Sequence, residues 1–292
     1  MKRPALDVPR LMLGVTSLAL PVRATRDRQL EVSGRFKESE SLAVALVKGV
    51  AAGAEAVLAP PTNDIRAALD ELPKELPILA RVPHLLPADD LRHEPALLFD
   101  PGDDDDPSGR GGKSAGAAVK DLLPVGVAGS LAGRVLPRIE REAALFTPAS
   151  LRGIVISATA TDLAVAGDQP RFFERILKLA RPRRWMVGFE TRNLGHFLAR
   201  LATWSVRPDF VVGAMNPRGV GMFPDSDTVV TAIERGGVKV IASELRAGGI
   251  VTLEEGAAWA RRHGAWGVCP ELVDMDDVPR ELKLLAPQAV AT

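Results

Sequence analysis

Eight short apolar runs recur along this chain of 292 residues: Arg10 to Val15, Glu55 to Ala59, Pro77 to Val82, Gly153 to Ala158, Arg184 to Phe189, Asp209 to Met215, Val238 to Ser243 and Ala265 to Cys269. Runs of this length, separated by stretches of helical period, mark parallel strands buried on both faces and joined by crossover helices. The fourth to eighth runs begin 31, 25, 29 and 27 residues apart, room for one strand, one helix and two short loops.

Helix edges fall between the runs. Thr252 and Glu255 have capping-box spacing ahead of Ala257, Ala258 and Trp259, and Arg261, Arg262, His263 and Gly264 close that helix. Pro170 opens a stripe of Phe172, Phe173, Ile176, Leu177 and Ala180, and Leu194, Phe197, Leu198 and Leu201 form another after Asn193. Upstream, Leu42, Leu46 and Val50 predict a helix beginning at Ser39 or Ser41, and Ile65, Ala68, Leu69 and Leu72 a shorter one.

An open doubly wound sheet carries a glycine-rich fingerprint after its first strand. Here Thr16, Ser17 and Leu18 stand there instead. The expected fold is therefore α/β, a (β/α)8 TIM barrel forming one domain over residues 1–292. About seventy residues separate the third and fourth runs, so an insertion or extended crossover is expected over 84–150. It holds the Asp103 to Asp106 run and a Gly109 to Ser114 stretch that read as a solvated loop, a short candidate strand at Ala96 to Phe99, and helices at Ala115 to Leu123 and Gly133 to Phe146.

Composition narrows the function. Lys plus Arg equals Asp plus Glu at 37, so no bulk field favours nucleic acid or an anionic membrane. A single cysteine, Cys269, excludes an intrachain disulfide and fits a reducing, cytoplasmic compartment. No uncharged apolar stretch reaches the 18 residues of a spanning helix. The expected partner is a small molecule, and homo-oligomerisation stays open.

Two tempting motifs fail. Gly112-Lys113-Ser114 ends like a phosphate loop, but Pro107 replaces the required glycine. The four aspartates lack the alternating ligands of a calcium loop. No two of His84, His93, His196 and His263 have zinc-helix spacing, so no metal site is assigned.

In a barrel, the C-terminal strand ends carry the chemistry. Those ends present Thr16, Thr62 and Asn63, Arg81 and His84, Thr159 and Asp162, Glu190, Arg192 and Asn193, Asn216 and Arg218, Glu244 and Arg246, and Glu271. Along the seventh run, Val240, Ala242 and Glu244 share a face opposite Lys239, so an inward Glu244 is expected to crown the barrel. Glu190 and Glu244 are the candidate proton-transfer groups, with Arg81 and His84 assisting. Arg81, Arg192, Arg218 and Arg246 are placed to pair with the carboxylates or to bind an anionic substrate. A variant uses Glu190, Asn216, Glu244 and Glu271 as oxygen ligands for magnesium or manganese. Cys269, between Val268 and Pro270, reads as core.

Three segments carry a family resemblance: Val187-Gly188-Phe189-Glu190-Thr191, Met215-Asn216-Pro217-Arg218-Gly219, and Val240 to Gly249. In this serial order they resemble the fifth to seventh strands of the aldo-keto reductase barrels. The likeness runs from Gly153 to Leu285. It implies an NADPH-dependent carbonyl reductase with a Tyr, Lys, Asp and His tetrad, and it places Asn216, Arg218, Arg246 and Arg192 on the cofactor side. The tetrad is missing: the chain has no tyrosine, Val57-Leu58-Ala59-Pro60 offers no aspartate, Arg81 or Val82 stands for the lysine, and Ile156-Ser157-Ala158 offers no histidine. The leading expectation is therefore a small-molecule enzyme using non-redox acid–base chemistry, a lyase, isomerase or hydrolase, with its cofactor unassigned. The alternatives are a reductase with a rearranged site and a catalytically inactive ligand- or protein-binding barrel.

Overall fold

A computed structural model describes residues 7–18, 30–31, 34–36, 39–72, 76–84 and 127–286. All eight runs form strands: β1 Met12–Gly14, β2 Ala56–Ala59, β3 Ile78–Val82, β4 Leu151–Ile156, β5 Met186–Glu190, β6 Phe210–Ala214, β7 Lys239–Ser243 and β8 Gly267–Val268. They lie side by side in sequence order, every neighbouring pair parallel. Isolated parallel bridges Leu11–Val268 and Gly14–Glu271 join the first strand to the last, with Gly14 N–H donating to Pro270 O at 2.9 Å. The expected (β/α)8 barrel is the observed fold.

Nine α-helices are present among the described residues: α1 Ser39–Ala51, α2 Asn63–Asp70, α3 Val127–Ala143, α4 Ala158–Ala166, α5 Pro170–Ala180, α6 Leu194–Thr203, α7 Ser226–Glu234, α8 Leu253–Arg262 and α9 Val278–Leu285. The Thr252–Glu255 capping box forms in full, and Pro170 occupies the first turn of α5. The expected Gly133 to Phe146 helix is α3, starting earlier and ending sooner. Thr159 and Asp162, expected at the end of the fourth strand, lie on α4, which follows β4 after Ser157 alone. The Asp103 to Asp106 run, the Gly109 to Ser114 stretch, Ala96 to Phe99, Ala115 to Leu123 and His93 lie outside the described residues.

Two apolar layers hold the barrel. One packs the outward strand faces under the helices. Its densest part sets Phe173 of α5 against Phe172, Phe189, Phe197 and Trp204, with ring centroids 5.0–5.3 Å apart, and so anchors the segment that carries Glu190. The other fills the interior with Met12, Ala56, Leu58, Leu79, Val155, Met186, Phe210, Val212, Ile241 and Cys269. Gly188 makes room for the Phe210 ring, because a Cβ there would lie 2.4 Å from two ring carbons. Replacing Gly188 by Ala is expected to cost about 3 kcal/mol of stability, measured by denaturant unfolding. An unchanged midpoint would show that the ring gives way freely.

The N-terminal end of the barrel is plugged. Trp266 lies between the Arg10 guanidinium and the Lys239 ammonium, 4.1 and 3.9 Å from its ring centre, and its indole N–H donates to Val8 O at 2.9 Å. The interior side chains also settle the β7 parity. Ile241 belongs to the interior, whereas Val240 and Ala242 pack under the helices. The expected inward Glu244 is thus corrected: it leaves the strand with a left-handed backbone (φ 52°) and is exposed. Both faces of a buried parallel strand are apolar, so alternation alone does not reveal which face is inside.

Candidate functional site

Counting from the interior residues in steps of two gives the inward positions at the open end as Gly14, Pro60, Arg81, Ser157, Glu190, Ala214, Ser243 and Glu271. Arg81 is 3% exposed, and its Nε donates to Glu190 Oε2 at 2.6 Å. The same carboxylate oxygen accepts the Ala158 N–H at 3.3 Å, at the start of α4, where the helix dipole favours negative charge. Glu190 keeps 24% of its side chain exposed. Arg81 Nη1, Ser157 Oγ, Thr16 Oγ1, His84 Nδ1 and Arg246 Nε are buried without a hydrogen-bond partner. Buried polar groups are nearly always satisfied, so five orphans at one end of a barrel single that end out.

Glu271 stands where β8 meets β1. Its carboxylate lies over Gly14, where a Cβ would be 2.4 Å from Oε1, and Oε2 accepts the Ser17 N–H at 3.0 Å. The glycine is what lets the carboxylate approach the strand. Burial pushes the Glu271 carboxyl up to about 7, and the charges of Asp274 and Glu190 add to the rise against the Ser17 bonds. Part of the residue surface stays open to solvent. Beneath it, burial first, then Glu271 and Glu190, pushes the Cys269 thiol well up, which keeps it protonated and inert, as its core reading requires.

Around this centre, the other expected residues divide. His84 sits beside the cluster: its N–H donates to Glu142 Oε2 at 2.6 Å, its carbonyl accepts from Arg138 at 2.7 Å, and Nδ1 is buried without a partner. Burial, then the Arg81 and Arg138 charges, pull its imidazole below the ordinary range, so it is neutral at pH 7. Asp162 accepts from the Thr191 hydroxyl and the Arg192 N–H, and burial raises its carboxyl. The Arg192 side chain is exposed.

Asn216 is a strut. Its amide donates to Val220 O and Glu244 O, and its oxygen accepts from the Arg218 and Val220 N–H groups, which uses all four of its bonding positions. Arg246 Nη1 donates to Asp274 O at 2.6 Å and so braces the turn after Glu271. Arg218 lines a separate crevice of about 660 Å³ with Pro217, Ile250, Glu254, Glu255, Trp259 and Arg262.

Arg81, Glu190 and His84 therefore come together, whereas Glu244, Arg192, Asn216, Arg218 and Arg246 do not join them. The residues that sequence reasoning left aside are Gly14, Ser157 and the central position of Glu271. An isolated glycine in a strand and a glutamate two positions beyond an inward cysteine were the available signals.

Of the set expected to hold a dinucleotide, Asn216 and Arg218 offer it little. Asn216 has no bonding capacity left, and in the crevice two arginines face two glutamates, leaving no net charge for a pyrophosphate. Among the described residues no three His, Cys, Asp or Glu side chains are grouped to hold a metal ion. The proposed oxygen-ligand variant also fails on Asn216 and Glu244.

The fold and its open end define a (β/α)8 barrel with a polar C-terminal mouth. Among solved structures it is similar to a Pseudomonas aeruginosa protein described as an aldo-keto reductase, at 12% identity and TM-score 0.53, over 97% of this chain and 93% of that one. A Bacillus halodurans aldo-keto reductase in its holo form matches at 9% and 0.51, over 97% and 88%. An archaeal fructose-1,6-bisphosphate aldolase aligns at 10% and 0.49, over 95% and 92%. No family model and no curated protein sequence matches the chain. The likeness is one of architecture: this chain shares the (β/α)8 barrel fold with them, and barrels of one shape host many chemistries. Among the described residues no helix is long and apolar enough to cross a membrane.

Proposed function

We propose that the chain is an enzyme that moves a proton on a small molecule at the C-terminal mouth, with Glu271 as the acid–base group and Arg81 as the cation beside which negative charge develops. The observation that carries this reading is the buried, unpartnered Arg81 Nη1 in a mouth shared with a carboxylate held over Gly14. A carboxyl near 7 is half ionised at neutral pH, which suits it to take a proton in one step and return it in the next. An isomerase or lyase uses such a step directly.

The reductase alternative finds no support in the residues around Asn216. The inactive-barrel alternative draws on the Arg81–Glu190 pair, which already satisfies Glu190 as a structural ion pair would. The acid–base and inactive-barrel readings differ in one measurement. Incubation with a panel of small carbonyl compounds in deuterium oxide, followed by proton NMR, is expected to show deuterium entering the carbon beside the carbonyl. The rate should rise with pH through about 7 as Glu271 ionises. Binding without exchange across the panel favours the inactive barrel.

A further inference from the structure

Ser157 precedes α4 directly, yet its hydroxyl caps nothing there and is fully buried without a partner. Its N–H donates to Val82 O at 3.0 Å, which fixes it against the end of β3 one residue beyond Arg81. The β3–β4 register pairs Arg81 with Val155, so Arg81 and Ser157 rise from inward positions on adjacent strands. Each is at least nine-tenths buried, and each holds a donor with nothing to donate to. An unmade buried hydrogen bond costs about 1–3 kcal/mol, more for a charged group, and an incoming acceptor removes that cost.

The charges decide what kind of acceptor. Glu190 already neutralises Arg81, His84 is neutral, the Cys269 thiol is protonated and Thr16 is uncharged. An anion arriving between Arg81 and Ser157 would face Glu190, which already takes the Arg81 charge, and Glu271 whenever it is ionised. A neutral carbonyl meets no such repulsion, and its oxygen has two lone pairs for two donors. We infer that Arg81 Nη1 and Ser157 Oγ together receive the carbonyl oxygen of an uncharged substrate, which makes Ser157 a catalytic residue. This deepens the proton-transfer reading and rests on it only for the base. In the step itself, Glu271 takes a proton from the carbon beside the carbonyl. The C–H electron pair forms the new carbon–carbon π bond, and the carbonyl π pair moves onto the oxygen held by the two donors.

The test uses the whole chain with hydroxyacetone labelled with ¹³C at its carbonyl, observed by isotope-edited infrared difference spectroscopy and by deuterium exchange. In the wild type the bound carbonyl band is expected below its position in water. Ser157→Ala should lose part of that displacement and about 100-fold in exchange rate, while its melting temperature stays level or rises, because the hydroxyl bonds nothing in the folded protein. A wild-type band and rate in Ser157→Ala overturns the inference, as does the absence of any displaced band. Stronger thermal protection by pyruvate or inorganic phosphate than by hydroxyacetone overturns the uncharged class. Glu271→Gln separates the two readings: it should keep the displaced band and lose exchange. If it exchanges normally while the band still depends on Ser157, the proton-transfer assignment falls and the carbonyl seat stands.

Discussion

Glu271→Gln is expected to abolish proton exchange and to make the protein more stable above pH 7. The sign follows from where the proton resides. The folded chain holds the Glu271 proton up to about 7, against 4.5 for the free side chain, so the folded state binds more protons between those values. Stability from this group is fully present below about 4.5 and falls as pH rises to about 7. Above that the fold bears the whole cost of the buried charge, at most about 3 kcal/mol and less where solvent reaches the carboxylate. Glutamine keeps the shape and removes the charge. The variant should therefore melt about 5 °C higher than wild type at pH 8 and at the same temperature at pH 4. Equal melting at both pH values would show that Glu271 carries no such penalty.

Arg81→Met is expected to have the opposite effect on stability. It leaves Glu190 without its guanidinium in a site where only 24% of the side chain sees solvent. Breaking such a pair from one side costs about 3 kcal/mol. Adding Glu190→Gln should recover most of that loss, because the abandoned charge, and not the lost attraction, is the main expense. A double variant as unstable as Arg81→Met alone would mean that Arg81 acts through packing. Both measurements need only denaturant curves.

Much of the architecture was legible because a strand buried on both faces is written as an unbroken apolar run, and a helix as a stripe between caps. The β7 and α8 segments show this directly, one by Val240 to Ala242 and the other by Thr252 and Glu255. The mouth was legible in part. Arg81 and Glu190 were recoverable because a charged residue ending an apolar run needs a partner, and here each is the other's. Glu244 misled because the β7 alternation has no polar face to orient it, and the left-handed backbone at that residue leaves no sequence mark. Ser157 was invisible for another reason. It ends one element and begins the next without a loop, so it reads as a small residue between a strand and a helix. Its importance lies in the missing bond, which only three-dimensional neighbours reveal. Asn216 shows the converse, a polar residue in a motif-like segment whose every bond serves the backbone.

The most direct measurement is the titration of the Glu271 carboxyl by ¹³C NMR in glutamate-labelled protein, assigned by the spectrum of Glu271→Gln. The account predicts a midpoint near 7, held there while Glu271 stays buried over Gly14 with Glu190 and Asp274 around it. A midpoint near 4.5, the value of a carboxylate in water, would mean that these side chains do not gather at one sheltered end of the barrel.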